Sequence, residues 1–429
     1  MQDGSKFGVQ KKNDMSVSRD NNDKPKSREY GTGGVSEAEG ESSPKYVQPK
    51  KKRKIRKRRI VSIAFSLISL SIIIYIAVTL ITGRELTLPG AGLFSPRVQS
   101  EPVDEFLFDV GGGRVLADLG GSVAAVGSIG IQVFDLAGNE TLRDPFRMFF
   151  PAVESNGKTA IAFDIGGTSV RVFDSSKIIT ALETSGAIIS ASLGNNGRFI
   201  VCTQESGAYR GTVTVYSAAG FPNFKVELAS GYVLSAALSP DGKAFVILAL
   251  TETGSRLIFY DLDSEIPLNT VGFSAEIVLD ICYLPRGELL VLSENSLFTL
   301  DLYGAERELY SFYDDRLGGY SLGDEYIALQ LLEYGVGHSG KLVLINIDGE
   351  ILGELPTDRQ IVSMSSGDDF LAVLYNTGPM LYNKGFEEIM ISDRINDTAG
   401  ATGILALSDA VSAVAYGDHS AILIEKIGG

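Results

Sequence analysis

An aspartate and an arginine recur together at four places in this 429-residue chain: DPFR at 144–147, DDR at 314–316, TDR at 357–359 and SDR at 392–394. A guanidinium is a planar fork of N–H groups that can grip a carboxylate or phosphate through two parallel hydrogen bonds. Arg147, Arg316, Arg359 and Arg394 are therefore candidate ligands for an anionic group or an acidic peptide. The same spacing supports a plainer reading, in which Asp144, Asp315, Asp358 and Asp393 pair with these arginines and tie neighbouring units together. Two long loops, one around Tyr209 and one around Tyr334 and His338, add further candidate contacts.

The remaining reactive residues are sparse. FDIGGTSVR at 163–171 resembles the phosphate-binding hairpin of sugar kinases of the actin-like fold, where glycine lets backbone amides approach an anion. Here it lies between the strand-like runs IAFD and VRVFD, with no later phosphate or adenosine segment in an α/β context, which predicts an ordinary hairpin with Gly166 and Gly167 at its turn. His338 and His419 are the only histidines, both in loops, so a histidine metal centre or a Ser-His-Asp triad would have to use one of them. A surface position is expected for each. Cys202 and Cys282 fall in apolar runs of nonadjacent units and read as buried free thiols. Asp314/Asp315 and Asp368/Asp369 carry charge enough for a cation but read as solvated surface. No metal and no cofactor are expected.

The elements that must position these residues begin with a charge asymmetry. The chain has a net charge of −15, yet residues 1–59 carry +9 and the rest −24. Residues 1–48 hold few branched apolar side chains and cannot offset the entropy of ordering, which predicts a disordered tail. PKKKRKIRKRR at 49–59 then supplies Lys50, Lys51, Lys52, Arg53, Lys54, Arg56, Lys57, Arg58 and Arg59. It has the composition of a nuclear-import signal, but it abuts 23 uncharged residues at 60–82, long enough as a helix to span a bilayer. The positive-inside rule places such a basic run on the cytoplasmic side, against anionic lipid. A cleaved secretory signal would have a shorter charged region and a shorter apolar core, so an uncleaved signal anchor fits better. The expectation is a single-pass plasma-membrane protein with its amino end inside, a possible dimer through Ser62, Ser66 and Ser69 of the span, a tether at 83–103 and an extracytoplasmic domain at 104–429.

That domain repeats. SNGK at 155–158, GNNGR at 194–198, SPDGK at 239–243 and PRGE at 285–288 each separate two apolar runs, and Asn-Gly or Asp-Gly supplies the positive backbone angles of a hairpin. Third runs recur as IQVFDLAGN at 131–139, VRVFDSS at 170–176, VTVYSAAG at 213–220, LIFYDLDS at 257–264, LFTLDLYG at 297–304, LVLINIDG at 342–349 and MLYNKG at 380–385, with AILIEKIG at 421–428 as an eighth. First strands fall near Leu116, Ala152, Ile189, Ser235, Val278, Tyr320, Val362 and Leu405, a period of about 41 residues, that of a four-stranded propeller blade. The fold class is therefore all-β, an eight-bladed β-propeller, or seven-bladed if one unit is misparsed. The last unit ends after its third strand, and FLFDV at 106–110 is expected to supply the missing outer strand.

The VFD and YD third strands and the SPDGK hairpin resemble repeats of the PQQ-like and WD40-like propellers. Tail, basic stop, span and acidic propeller together resemble an uncharacterised membrane-anchored clostridial family classed as a domain of unknown function, over residues 50–429. The chain has no Trp, hence neither the Trp-Asp dipeptide of WD40 repeats nor the tryptophans of quinone-binding enzymes. The expected function is a noncatalytic binding, scaffold or sensor module of the cell envelope, whose partner is an envelope protein or polymer. The alternatives are a propeller hydrolase or lactonase with a metal at the channel mouth, and a transmembrane signalling part whose tail binds inside the cell. A nucleic-acid partner is not expected at −24, because the phosphate backbone would be repelled.

Overall fold

The computed structural model describes residues 105–205, 209–333, 337–391, 398, 400–407 and 413–425. The tail, the basic segment, the span and the tether expected at 1–103 lie outside the described residues, as do Tyr334, Asp393 and Arg394. Among the described residues no helix is long and apolar enough to cross a membrane.

Thirty-two strands form eight four-stranded antiparallel sheets among the described residues. Seven of these blades follow chain order from inner to outer strand. Their inner strands are Val115–Asp118, Pro151–Ser155, Ala187–Leu193, Tyr232–Leu238, Val278–Tyr283, Arg316–Leu322 and Ile361–Ser366, and that of the eighth blade is Gly403–Ala406. All eight first strands read from the sequence are present, so the count is eight and not seven. Gly157 and Gly242, at the Asn-Gly and Asp-Gly turns, hold φ of 77° and 66°, angles that side chains with a Cβ rarely adopt.

Burial follows position in the blade. Second strands such as Ser122–Gly127, Leu289–Ser293 and Tyr326–Leu332 are buried at every residue, because a neighbouring sheet covers each of their faces. Outer strands are mostly open to solvent, and Glu140–Pro145 has no buried residue. Eight apolar clusters result, each shared by two adjacent blades and together running round the ring.

The eighth blade takes its outer strand from the start of the ring. Glu105–Leu107 pairs antiparallel with Ser420–Ile424, with Phe106 opposite Ala421, and the Phe108 amide donates to the His419 carbonyl at 2.9 Å. Phe106 is buried at 4% exposure and stacks on Phe134 of blade 1 at 4.9 Å, in a cluster that also holds Val123, Leu407, Val414 and Leu423. Arg114 reinforces this seam by donating to Asp418 at 2.7 Å. Phe106→Ala is accordingly expected to cost about 3–5 kcal/mol in chemical denaturation, while Leu107→Ala, on the exposed face of the same strand, costs under about 0.5 kcal/mol. Equal effects at the two positions would rule out the clasp.

Candidate functional site

Antiparallel blades put their first and third hairpins at one end of the ring, and their second hairpins and the blade-to-blade connections at the other. Toward the first-hairpin end, the inner strands and their turns enclose a central cavity of about 800 Å³. Its wall includes six carboxylates, Asp118, Glu154, Asp280, Asp324, Glu325 and Asp368, and no Lys, Arg or His. Glu325 is paired at its rim with Lys384, whose Nζ lies 2.6 Å from its Oε2. Asp118 is capped by the Gly120 amide at 3.0 Å.

Two of these acids sit on inner strands rather than turns. Glu154, on blade 2, is exposed to the cavity; the Leu193 amide of blade 3 donates to its Oε2 at 3.2 Å. Desolvation among the inner strands pushes its pKa up to about 7, with the Leu193 amide working against the rise and the charge of Asp280 adding to it. Asp280, on blade 5, follows a one-residue bulge at Leu279 that resets the register of its strand. The Ile281 amide donates to Asp280 Oδ1 at 2.8 Å and the Tyr320 hydroxyl of blade 6 to Oδ2 at 3.1 Å, while burial raises its pKa more than these bonds lower it. Tyr283 also lines the cavity, with a buried hydroxyl lacking a partner among the described residues, and burial pushes it and Tyr320 well above the usual phenol range. Burial likewise pushes the thiols of Cys202 and Cys282 up to about 12. Every weak acid here except the carboxylates is therefore neutral at physiological pH.

The structure distributes the sequence-derived candidates differently. Arg147, Arg316 and Arg359 lie at the blade connections and none lines the cavity. Arg147 and Arg316 are exposed and make no ion pair among the described residues. Arg359 lies over the Tyr375 ring, its Cζ 3.6 Å from the ring centroid, and donates to Thr377 Oγ1 at 3.0 Å. The expected aspartate partners also differ: Asp144 pairs with Arg171 at 3.3 Å, not with Arg147, because Arg171 stacks on Phe146 within reach of it. Asp315 and Asp358 form no ion pair among the described residues. Tyr209 and His338 are exposed, as is His419.

Asp164-Ile-Gly-Gly is the ordinary hairpin expected, joining Ala160–Asp164 to Ser169–Phe173. Gly166 holds φ of 80°, and a Cβ on Gly167 would collide with the Asp164 carboxylate. That carboxylate accepts the amides of Phe149 and Phe150, both at 2.8 Å, so it supports the loop between blades 1 and 2. Cys202 is a buried free thiol as read; Cys282 is free but only half-buried, because it faces the cavity. Asp368 and Asp369 are exposed, as read, and Asp368 also lines the cavity. No group of three or more His, Cys, Asp or Glu is placed to hold a metal ion among the described residues.

The family model described as "Family of unknown function (DUF5711)" matches residues 109–385. No curated protein matches the sequence. Among solved structures the chain is similar to Saccharomyces cerevisiae Sqt1, at 11% identity over 76% of this chain and 100% of that one, with a TM-score of 0.53. It is also similar to BamB from Moraxella catarrhalis, at 15% identity over 76% and 99% of the two chains with a TM-score of 0.51. The C-terminal WD40 domain of Sif2 aligns at 13% identity over 76% and 96%, with a TM-score of 0.50. At these identities the likeness is one of fold.

The raised Glu154 pKa makes a prediction about stability. Between its ordinary value of 4.5 and about 7 the folded chain keeps a proton that the unfolded chain releases, so this group lowers stability as pH rises through that interval. Glu154→Gln carries no such dependence. The melting temperature of the variant is expected to gain on that of the native protein from about pH 4.5 to about pH 7 and to keep a constant lead above. A gap that narrows with rising pH would contradict a raised Glu154 pKa.

Proposed function

We propose that this chain, which belongs to the family of unknown function DUF5711, is a noncatalytic binding module that takes cationic groups into the central cavity of its propeller. The observation that carries this reading is the cavity wall itself, with six carboxylates and no basic side chain around about 800 Å³. Acids converging on a partly enclosed space reinforce one another's field, which draws in positive groups and repels anions. The rigid ring supports binding rather than covalent chemistry, since the thiols and phenols beside the acids are held protonated and unreactive by burial.

In the fuller form of this reading, residues 60–82 anchor the protein in the plasma membrane, Lys50 to Arg59 face the inner lipid surface, and the propeller is displayed outside the cell. The partner is then an envelope protein or polymer bearing amino or guanidino groups. The uncharged run at 60–82 and the opposite charges of the segments flanking it support that topology. The opposite end of the ring is proposed as a second contact surface for an acidic partner, with Arg147 and Arg316 at its blade connections and Tyr209 and His338 in its second hairpins. Phe149 and Phe150, 84% and 70% exposed beside Arg147, favour a protein contact there.

The cavity reading is tested with the full chain in a nonionic detergent and a labelled hexaarginine peptide, acetylated and amidated at its ends, followed by fluorescence anisotropy. Binding is expected to weaken about tenfold or more as salt rises from about 0.05 M to about 0.5 M. The combined variant Glu154→Gln/Asp280→Asn, checked for folding by circular dichroism, is expected to weaken hexaarginine binding by a further factor of about ten. Binding that ignores both salt and this variant would place the peptide elsewhere and sink the reading.

A further inference from the structure

The loop between blades 1 and 2 exposes two consecutive aromatic side chains and is built to hold them there. Phe149 and Phe150 are 84% and 70% exposed, while Met148, one residue earlier, is buried in the cluster between the two blades. Asp164, itself 4% exposed, accepts both phenylalanine amides at 2.8 Å, and the missing Cβ of Gly167 leaves room for its carboxylate. The Phe150 carbonyl accepts the Ile165 amide at 2.9 Å, and the Met148 amide donates to the Ser128 carbonyl at 3.0 Å. The tip is thus tied to the second hairpins of blades 1 and 2, whose exposed Ile129 and Ile165 flank it. Aromatic side chains on a backbone fixed before contact lose little freedom on binding, which suits them to act as anchors.

The charge around the tip narrows what can cover it. The segments that form this surface, 111–113, 128–130, 147–150 and 165–168, contain one charged side chain, Arg147, which makes no ion pair among the described residues. A second copy docked face to face would bring two Arg147 side chains together with no carboxylate between them. Anionic lipid is drawn by clusters of basic residues, whereas this is a single arginine on a segment carrying −24. A protein segment with a carboxylate beside an apolar side chain complements both features: the guanidinium can grip the carboxylate through two hydrogen bonds while the apolar group covers the rings. We propose that the tip at 147–150 docks a short acidic and apolar protein segment, with Phe149 and Phe150 as anchors and Arg147 as the partner of its carboxylate. The inference rests on the reading of this end of the ring as a contact surface for an acidic partner, and confines that contact to blades 1 and 2, away from Arg316, Tyr209 and His338.

The chain has no tryptophan, so Phe149→Trp places a single indole reporter at the tip. The full chain carrying it, in phosphatidylcholine nanodiscs, is titrated with an end-capped hexapeptide alternating aspartate and leucine. Indole emission is followed with the unlabelled peptide, and anisotropy with a labelled one. A saturable blue shift that parallels the anisotropy is expected. On the reporter background, Phe150→Ser and Arg147→Gln are each expected to weaken binding about tenfold, and Arg316→Gln to leave it unchanged. Phe150 and Arg147 are exposed, so both variants keep the fold, which circular dichroism checks. Peptide binding that leaves the indole unmoved, or that both variants leave unchanged, overturns the inference while the contact reading of this end stands. An indole quenched by brominated phosphatidylcholine overturns it in favour of a lipid surface, and one that shifts with protein concentration before peptide is added overturns it in favour of a second copy. A peptide that does not bind at all overturns the contact reading, and the inference with it.

Discussion

A propeller blade is not stable alone, because each sheet has two apolar faces and needs a neighbour on both. The eight clusters between blades are the full set of such contacts in a closed ring, and no cluster is left with a bare side. An open arc would expose one apolar face at each end and an unpaired strand edge. The last blade supplies only three strands from the carboxy-terminal end, so closure depends on Glu105–Leu107 adding the fourth. Because that strand comes from the opposite end of the domain, the hydrogen bonds of a single sheet hold both ends of the ring. The apolar packing of Phe106 and Phe108 against blade 1 then completes the seam.

Ring closure also determines where charge can sit. The faces of the sheets are consumed by neighbouring blades, and the inner-strand edges and first hairpins are the parts left to line the axis. Acids there crowd toward a common space whether or not they are near in the chain. The cost of that crowding is visible at Glu154 and Asp280, whose carboxyls are both pushed toward the neutral form by desolvation among the inner strands. Asp280 keeps more of its charge through an amide and the Tyr320 hydroxyl, while Glu154 has one amide. An uncompensated arrangement of this kind is destabilising unless something positive is drawn to it, which is the physical reason to look for a ligand rather than a structural role.

The fold was largely legible because it depends on local pattern. Turn glycines, third strands ending in Asp or Asn, and a period of about 41 residues each report on one blade at a time, and even the closing strand could be inferred from a unit that ended early. The site was not legible in the same way. Glu154 and Asp280 belong to blades 2 and 5, and no spacing along the chain brings them together. The bulge that precedes Asp280 has no residue signature of its own. One signal was available: Asp118, Glu154, Asp324 and Asp368 all fall at or just beyond the ends of inner strands, so comparing that column across the repeats would have marked the acidic wall. The arginines misled because their repeated Asp-Arg spacing implied local pairs. Arg171 of the next blade took Asp144, and the open face of Tyr375 took Arg359.

A closed ring with buried interfaces has little freedom to respond to a ligand by changing shape. Moving one blade would strain two apolar clusters at once, and the clasp at Glu105–Leu107 prevents the ring from opening to relieve it. Of the groups on the cavity wall, the thiols and phenols are held on the protonated side by burial. A ligand entering such a cavity therefore meets a fixed array of carboxylates, held by inner strands that have little freedom to follow it.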